Sequence, residues 1–185
     1  MREARSVRLF VGVPIAGDLR EELLRHLEAA GAPLPGRAVP PANWHLTLRF
    51  LGATDVERHR RVAAGLRRIA MPGFELSLAA LGAFPRPARA TVLWIGVGDG
   101  ARELRALAAA AAEAAVHAGF APEPKPFSPH LTLSRIRSPA DVRAVVERAP
   151  AFGGRMEVDA FVLFRSHLGR PAPSYEIVER FPLQS

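Results

Sequence analysis

The chain has 185 residues, 49% of them apolar and none of them cysteine. That length holds one domain, or two tightly joined halves, with a good core, and the lack of cysteine excludes disulfides and thiolate metal sites. The formal charge of +7 is almost wholly arginine, with Lys125 the only lysine. Such a surface favours polyanions, but Arg-, Ala- and Pro-rich composition also follows from genomic base composition, so charge alone is a weak argument for RNA or DNA.

The basic start through Arg8, with the short apolar run after it, has the outline of a weak signal peptide. Pro14 ends that run early, so a first strand over 7–13 is expected instead. No run approaches a membrane span. Leu19, Leu23, Leu24 and Leu27 recur at helical spacing, with Gly31 placed to stop the helix. A Pro-rich loop over 33–41 leads to Trp44 and a strand beginning at His45. Thr54 and Glu57 form a capping box for a second helix to about Ala70. Strands over 74–78 and 90–97 follow, joined by a loop carrying Phe84-Pro85-Arg86-Pro87.

The pattern then starts again. Asp99 or Gly100 opens a long Ala-rich helix that ends at Gly119, and a second Pro-rich loop over 122–129 leads into a strand at His130. Ser138-Pro139-Ala140-Asp141 reads as a helix start, with a capping serine and proline at the first helical position. Strands near 156–164 and 175–181 close the chain. The whole is one domain over 1–185, built from two repeat units, about 7–97 and 99–183, too long and too few for a solenoid.

At the same place in each unit stands the same tetrapeptide, His45-Leu46-Thr47-Leu48 and His130-Leu131-Thr132-Leu133. Alternation of polar and apolar residues marks a half-buried strand, on which residues two apart share a face. His45 and Thr47 therefore point one way and Leu46 and Leu48 the other, and likewise in the second copy. Duplicated halves commonly pack about a pseudo-twofold axis, which would set the two motifs on opposite walls of one cleft. An acid, a base and two hydroxyls then suit chemistry on a phosphate. A lone His-x-Thr is a weak signal, but an identical pair within a repeat is strong.

With these motifs the chain resembles the 2H phosphoesterase superfamily. Within it, it is most similar to the RNA 2′,3′-cyclic phosphodiesterases of LigT type, formerly called 2′-5′ RNA ligases. The matching stretches are Arg8-Leu9-Phe10-Val11-Gly12-Val13-Pro14, Asn43-Trp44-His45-Leu46-Thr47-Leu48-Arg49-Phe50-Leu51-Gly52, Gly82-Ala83-Phe84-Pro85 with Val92-Leu93-Trp94, and Phe127-Ser128-Pro129-His130-Leu131-Thr132-Leu133-Ser134-Arg135. They cover essentially the whole chain. The resemblance implies an α+β fold of two lobes that exchange strands, each with an antiparallel sheet lining a central cleft and helices outside.

It also implies hydrolysis of an RNA 2′,3′-cyclic phosphate end to a 2′-phosphate, with His45 as proton donor to the leaving 3′ oxygen and His130 as the base that activates water. Histidine suits both roles because its unperturbed pKa, ~6.5, lies near neutrality. The residues alone are symmetric in the two histidines. Thr47 and Thr132 can hold the non-bridging oxygens as charge builds. The scheme needs no metal and no cofactor, and two histidines on separate strands without clustered carboxylates make a poor metal site.

Arg135 resembles a family position that reaches a phosphate, or is a solvated strand-end arginine. Phe127 and Phe50 are large enough to stack on a base, though core packing is the expectation for both, as it is for Trp44 and Trp94. His26, His59 and His117 fall on predicted helices and are read as solvated faces. His167 lies in a loop at the cleft rim or on plain surface. Arg58, Arg60, Arg61, Arg67 and Arg68 crowd the second helix as a solvated face or an RNA-backbone grip.

No Gly-rich nucleotide loop is present, which fits an ATP-independent reverse ligation. The competing readings are a phosphodiesterase of small cyclic nucleotides or 2′-5′ oligoadenylates, and a non-catalytic RNA-binding module, which would not need both imidazoles. The expected partner is RNA, tRNA fragments included, with no membrane. A monomer in the cytoplasm is the default expectation.

Overall fold

A computed structural model describes residues 6–30, 33–169 and 172–185. In chain order it comprises β1 (Val7–Pro14), α1 (Gly17–Ala29), β2 (Arg37–Ala38), β3 (His45–Thr54), α2 (Val56–Leu66), β4 (Phe74–Phe84) and β5 (Ala90–Val97). It continues with α3 (Ala101–His117), β6 (His130–Ala140), α4 (Arg143–Arg148), β7 (Arg155–Val158), β8 (Ala160–His167) and β9 (Ser174–Pro182). The fold is α+β, as expected, and every pairing between these strands is antiparallel.

The strand order is β7-β4-β5-β6-β3-β1-β8-β9, with β2 added to β6. The two strands that begin with histidine lie side by side at the middle. They are joined through the pair Leu46 and Leu131. On one flank β6 is backed by β5 and β4, and on the other β3 is backed by β1 and β8. Each flank thus draws strands from both halves of the sequence.

The leucines behind the motifs enter the main core. Leu46, Leu131 and Leu133 are completely buried and Leu48 nearly so. They share that core with Leu104, Leu107 and Ala111 of α3 and Val62 and Leu66 of α2. Helices α2 and α3 meet where a Cβ on Gly65 would lie 3.0 Å from the Ala114 Cβ, so only glycine permits this approach without a shift. Among the described residues no helix is long and apolar enough to cross a membrane.

Four local expectations are corrected. The Ser138-Pro139 helix start is strand: β6 runs on to Ala140, which pairs with Ala90, and only the short α4 comes after it. A tertiary partner strand overrides the local capping signal, and Asp141 instead accepts from the Arg143 amide at 3.0 Å. The cap of α2 is Asp55, accepting from the Arg58 amide at 2.8 Å, while the Thr54 hydroxyl turns back to the Gly52 carbonyl at 3.0 Å. That helix stops at Leu66, short of Ala70, in tightened turns closed by Arg68 to Gly65 and Ile69 to Leu66. Finally, the predicted strand near 156–164 is two strands, β7 and β8. The stop at Gly31 lies outside the described residues.

Candidate active site

The alternation in β3 and β6 does what its pattern demands. His45, Thr47, His130 and Thr132 are half-buried, and the leucines between them are buried on the opposite face. The antiparallel register through Leu46 and Leu131 sets Thr132 across from His45 and His130 across from Thr47. The four side chains therefore form a square. The two histidines occupy its diagonal, where neighbours in such a ladder stand about 7–8 Å apart, somewhat less between Cβ atoms. That spacing leaves room for a phosphate between the rings.

Each imidazole is held the same way. His45 Nδ1 donates to the Asn43 carbonyl at 2.7 Å, and His130 Nδ1 donates to the Ser128 carbonyl at 2.7 Å. A carbonyl only accepts, so Nδ1 carries the hydrogen and, in a neutral ring, Nε2 presents its lone pair to the cleft. The Thr47 hydroxyl donates to His45 Nε2 at 2.9 Å. Among the described residues His130 Nε2 has no protein partner. Asn43 is itself fixed, its side-chain amide donating to the Pro173 carbonyl at 2.7 Å.

Aromatic rings enclose both histidines. Phe10 lies 4.8 Å from His45, Phe164 5.5 Å and Tyr175 5.2 Å edge-on. Phe84 stands edge-on to His130 at 4.9 Å, with Trp94 at 6.2 Å. Gly12 of β1 keeps the floor beneath His45 open: a Cβ there would come within 2.8 Å of the Leu46 carbonyl and 3.6 Å of the His45 ring.

This enclosure sets the titration. Burial lowers the His45 pKa from 6.5 to about 4, partly opposed by the Asn43 carbonyl and reinforced by the charges of Arg135 and His130. Burial likewise lowers His130, opposed by the Ser128 carbonyl and reinforced by Arg135. Both rings are neutral in the ligand-free protein at neutral pH. Because the folded state disfavours the His45 imidazolium, its contribution to stability is complete above 6.5 and is lost as pH falls towards 4. The loss amounts to about 3 kcal/mol. Urea unfolding between pH 7 and pH 4 is expected to show a shallower pH dependence in His45→Asn than in the native chain. Equal slopes would contradict the burial argument.

One feature of the strands is not visible in the alternation. Opposite β1, Gly12 pairs with Thr47 and Val11 with Arg49, so Leu48 is the extra residue of a bulge. Opposite β5, Trp94 pairs with Thr132 and Leu93 with Ser134, and Leu133 is extra in the same way. Each bulge reverses the facing of the residues beyond it. Arg49 and Ser134 turn into the interior, at 5% and 0% exposure, while Phe50 and Arg135 turn outward on the side of the histidines. Strict alternation would have done the reverse.

Phe50 is thus 61% exposed and lines the cleft, which overturns its expected packing in the core. The two bulge-shifted positions are equivalent, five residues after each histidine, yet one wall offers a phenyl ring and the other a guanidinium.

The cleft encloses about 1410 Å³ and is lined by both histidines, both threonines, Arg135 and Phe50. Phe127 also lines it while packing against the core with its other face. Trp44 is buried, its indole donating to the Val39 carbonyl at 3.1 Å, and Trp94 packs on Phe84, as expected of both. His26 is only partly solvated: it is half-buried, with Nε2 on the Pro150 carbonyl at 3.1 Å and its ring tilted over Phe152. His167 pairs with Glu176 at 2.8 Å beside the cleft-lining Ser166. The arginines of α2 and of the turn after it are exposed, and Arg67 in that turn forks onto Glu179 at 2.6 and 2.8 Å. Arg8, Arg37 and Lys125 add positive charge to the cleft wall; Arg8 opens the first of the family-like stretches, while no motif singles out Arg37 or Lys125. Among the described residues no group of three or more His, Cys, Asp or Glu side chains could hold a metal ion.

The sequence profile of the 2′-5′ RNA ligase superfamily matches residues 12–170. The RNA 2′,3′-cyclic phosphodiesterase of Aeropyrum pernix is 37% identical over 147 residues, covering 77% of this chain and 84% of that protein. The Escherichia coli protein of the same name is 32% identical over 176 residues, covering 95% of this chain and 96% of its own. The crystal structure of E. coli LigT complexed with 3′-AMP is similar at a TM-score of 0.84 and 30% identity, covering 98% of this chain and all of that one. Paired histidines on adjoining strands, a profile match across most of the length and relatives at this identity agree: the chain belongs to the 2′-5′ RNA ligase superfamily.

Proposed function

We propose that this chain hydrolyses RNA ends carrying a 2′,3′-cyclic phosphodiester to the 2′-phosphomonoester, with His130 as general base and His45 as general acid. The observation that carries the reading is the pair of Nε2 atoms turned into one cleft from adjoining strands, each fixed by a carbonyl on Nδ1. Relatives bearing the name RNA 2′,3′-cyclic phosphodiesterase support the same substrate.

In the forward step His130 Nε2 removes a proton from water as its oxygen bonds to phosphorus. The bond from phosphorus to O3′ breaks, and Nε2–H of His45 protonates the departing oxygen. The open lone pair on His130 suits a base waiting for water. His45 must enter the step protonated, and the anionic phosphate, once seated between the rings, raises its pKa from the low value of the empty site. Protonation also converts His45 Nε2 from acceptor to donor, which releases the Thr47 hydroxyl to a non-bridging oxygen. Arg135 holds the phosphate charge, and Phe50 and Phe127 offer faces for a base. With an RNA 5′-hydroxyl in place of water as the nucleophile, the same forward step, breaking the bond from phosphorus to O3′, joins two ends through a 2′-5′ linkage without ATP.

A substrate panel tests the reading: an RNA with a cyclic-phosphate end, a free 2′,3′-cyclic mononucleotide, and a 2′-5′-linked oligoadenylate. The RNA end is expected to show the highest kcat/KM. The kcat/KM profile is expected to be bell-shaped with both limbs below 6.5, because burial lowers both histidines in the free protein. The limbs of kcat move to higher pH, because the bound anion raises both values. Preference for the oligoadenylate, or a kcat/KM plateau extending above neutrality, overturns it.

A further inference from the structure

The geometry points to Arg49 as a positioning residue that holds His130 in its reactive tautomer from across the sheet, by pinning the proline-rich segment that precedes it. The inference rests on the role of His130 proposed above.

Arg49 is 5% exposed on the leucine face of β3, where the bulge at Leu48 has turned it inward. Its guanidinium donates to the Ala121 carbonyl and pairs with Glu123, whose side chain is 39% exposed. Its Nε is buried without a partner. A buried arginine with one donor unpaired is a costly way to fill space in a layer of leucines, and an apolar side chain would pack there at least as well. Core stability therefore does not explain the residue.

Its contacts do. Between Glu123 and His130 the chain carries Pro124, Pro126 and Pro129. Each fixes its own φ, so the segment acts as a stiff strut that passes on its anchorage instead of absorbing it. Near the far end stands Ser128, whose carbonyl accepts the His130 Nδ1 hydrogen at 2.7 Å. A neutral imidazole left in water prefers its hydrogen on Nε2, which would hide the lone pair that a base needs. The Ser128 carbonyl reverses that preference, and Arg49 keeps the carbonyl in place. On the opposite wall the corresponding carbonyl, that of Asn43, is pinned independently by the bond from its own side chain to Pro173. The latch thus serves one histidine and not the other, which gives the test its internal control.

Nitrogen-15 NMR of the full chain at mildly alkaline pH, where both rings are neutral, reads the two tautomers separately. In the native protein both histidines are expected as the Nδ1–H form. In Arg49→Met, and separately in Pro124→Gly, which leaves the core untouched, His130 moves towards the Nε2–H form while His45 does not. With a cyclic-phosphate RNA end, kcat in both variants falls about 10–100-fold, the cost of a misplaced catalytic group, while KM changes little. Arg49→Lys recovers part of the loss by restoring one donor to the Ala121 carbonyl. The inference is overturned if His130 stays wholly Nδ1–H in both Arg49→Met and Pro124→Gly, or if native kcat accompanies a shifted tautomer. Absence of cyclic phosphodiesterase activity in the native protein would sink the proposed function instead, and the tautomer measurement would still judge the latch.

Discussion

Replacing His130 or His45 by alanine is expected to lower kcat on a cyclic-phosphate RNA end by about 10²–10⁴-fold each, the range of a positioned acid or base. The two losses differ in kind. An aryl phosphodiester whose leaving phenolate needs no proton should restore most of the turnover of His45→Ala, since the missing acid no longer matters. It should not rescue His130→Ala, where water still has to lose its proton. The square of side chains is symmetric in outline, so this contrast is what separates the roles. Rescue of His130→Ala, with none of His45→Ala, would exchange the assignments. The asymmetries that favour the stated order are the Thr47 bond to His45 Nε2 and the open Nε2 of His130.

The second large effect belongs to the hydroxyls. Thr47→Val and Thr132→Val keep size and branching but remove the hydroxyls proposed to donate to the phosphate oxygens. Each is expected to cost about 10²–10³-fold in kcat, as for loss of a preorganised oxyanion donor, with a smaller change in KM. Thr47→Val carries an additional signature. It removes the 2.9 Å bond to His45 Nε2, so the alkaline limb attributed to His45 should shift in that variant and stay in place in Thr132→Val. Native kcat in both variants would show that the hydroxyls are only packing partners of their strands.

These expectations rest on parts of the molecule that differ in how openly the sequence displays them. The facing pair of histidines was legible because period-two alternation binds His45 and Thr47 to one face as firmly as it buries Leu46 and Leu48. The second motif, His130-Leu131-Thr132-Leu133, carries the same alternation. The bulges at Leu48 and Leu133 were not legible. An extra residue in a strand leaves no chemical mark when every neighbour is a plausible strand former, and only the partner strands β1 and β5 reveal it. That hidden step exchanged the environments of Arg49 and Phe50.

The helix expected at Ser138 failed for a related reason. Capping chemistry is local, but Ala140 is committed to a distant strand through Ala90. The enclosure of His45 by Phe10, Phe164 and Tyr175 gathers residues far apart in the chain. No motif announces it, yet it decides the protonation of the site.

If two histidines open a 2′,3′-cyclic phosphate towards a 2′-phosphate, the chemistry of the product end must show it. An RNA with a single cyclic-phosphate terminus, incubated with the native protein in the presence of a chelator, should be converted to a 2′-phosphomonoester as read by phosphorus NMR, and His45→Ala and His130→Ala should leave it cyclic. Accumulation of a 3′-phosphate end, or conversion that persists in both alanine variants, would contradict the account.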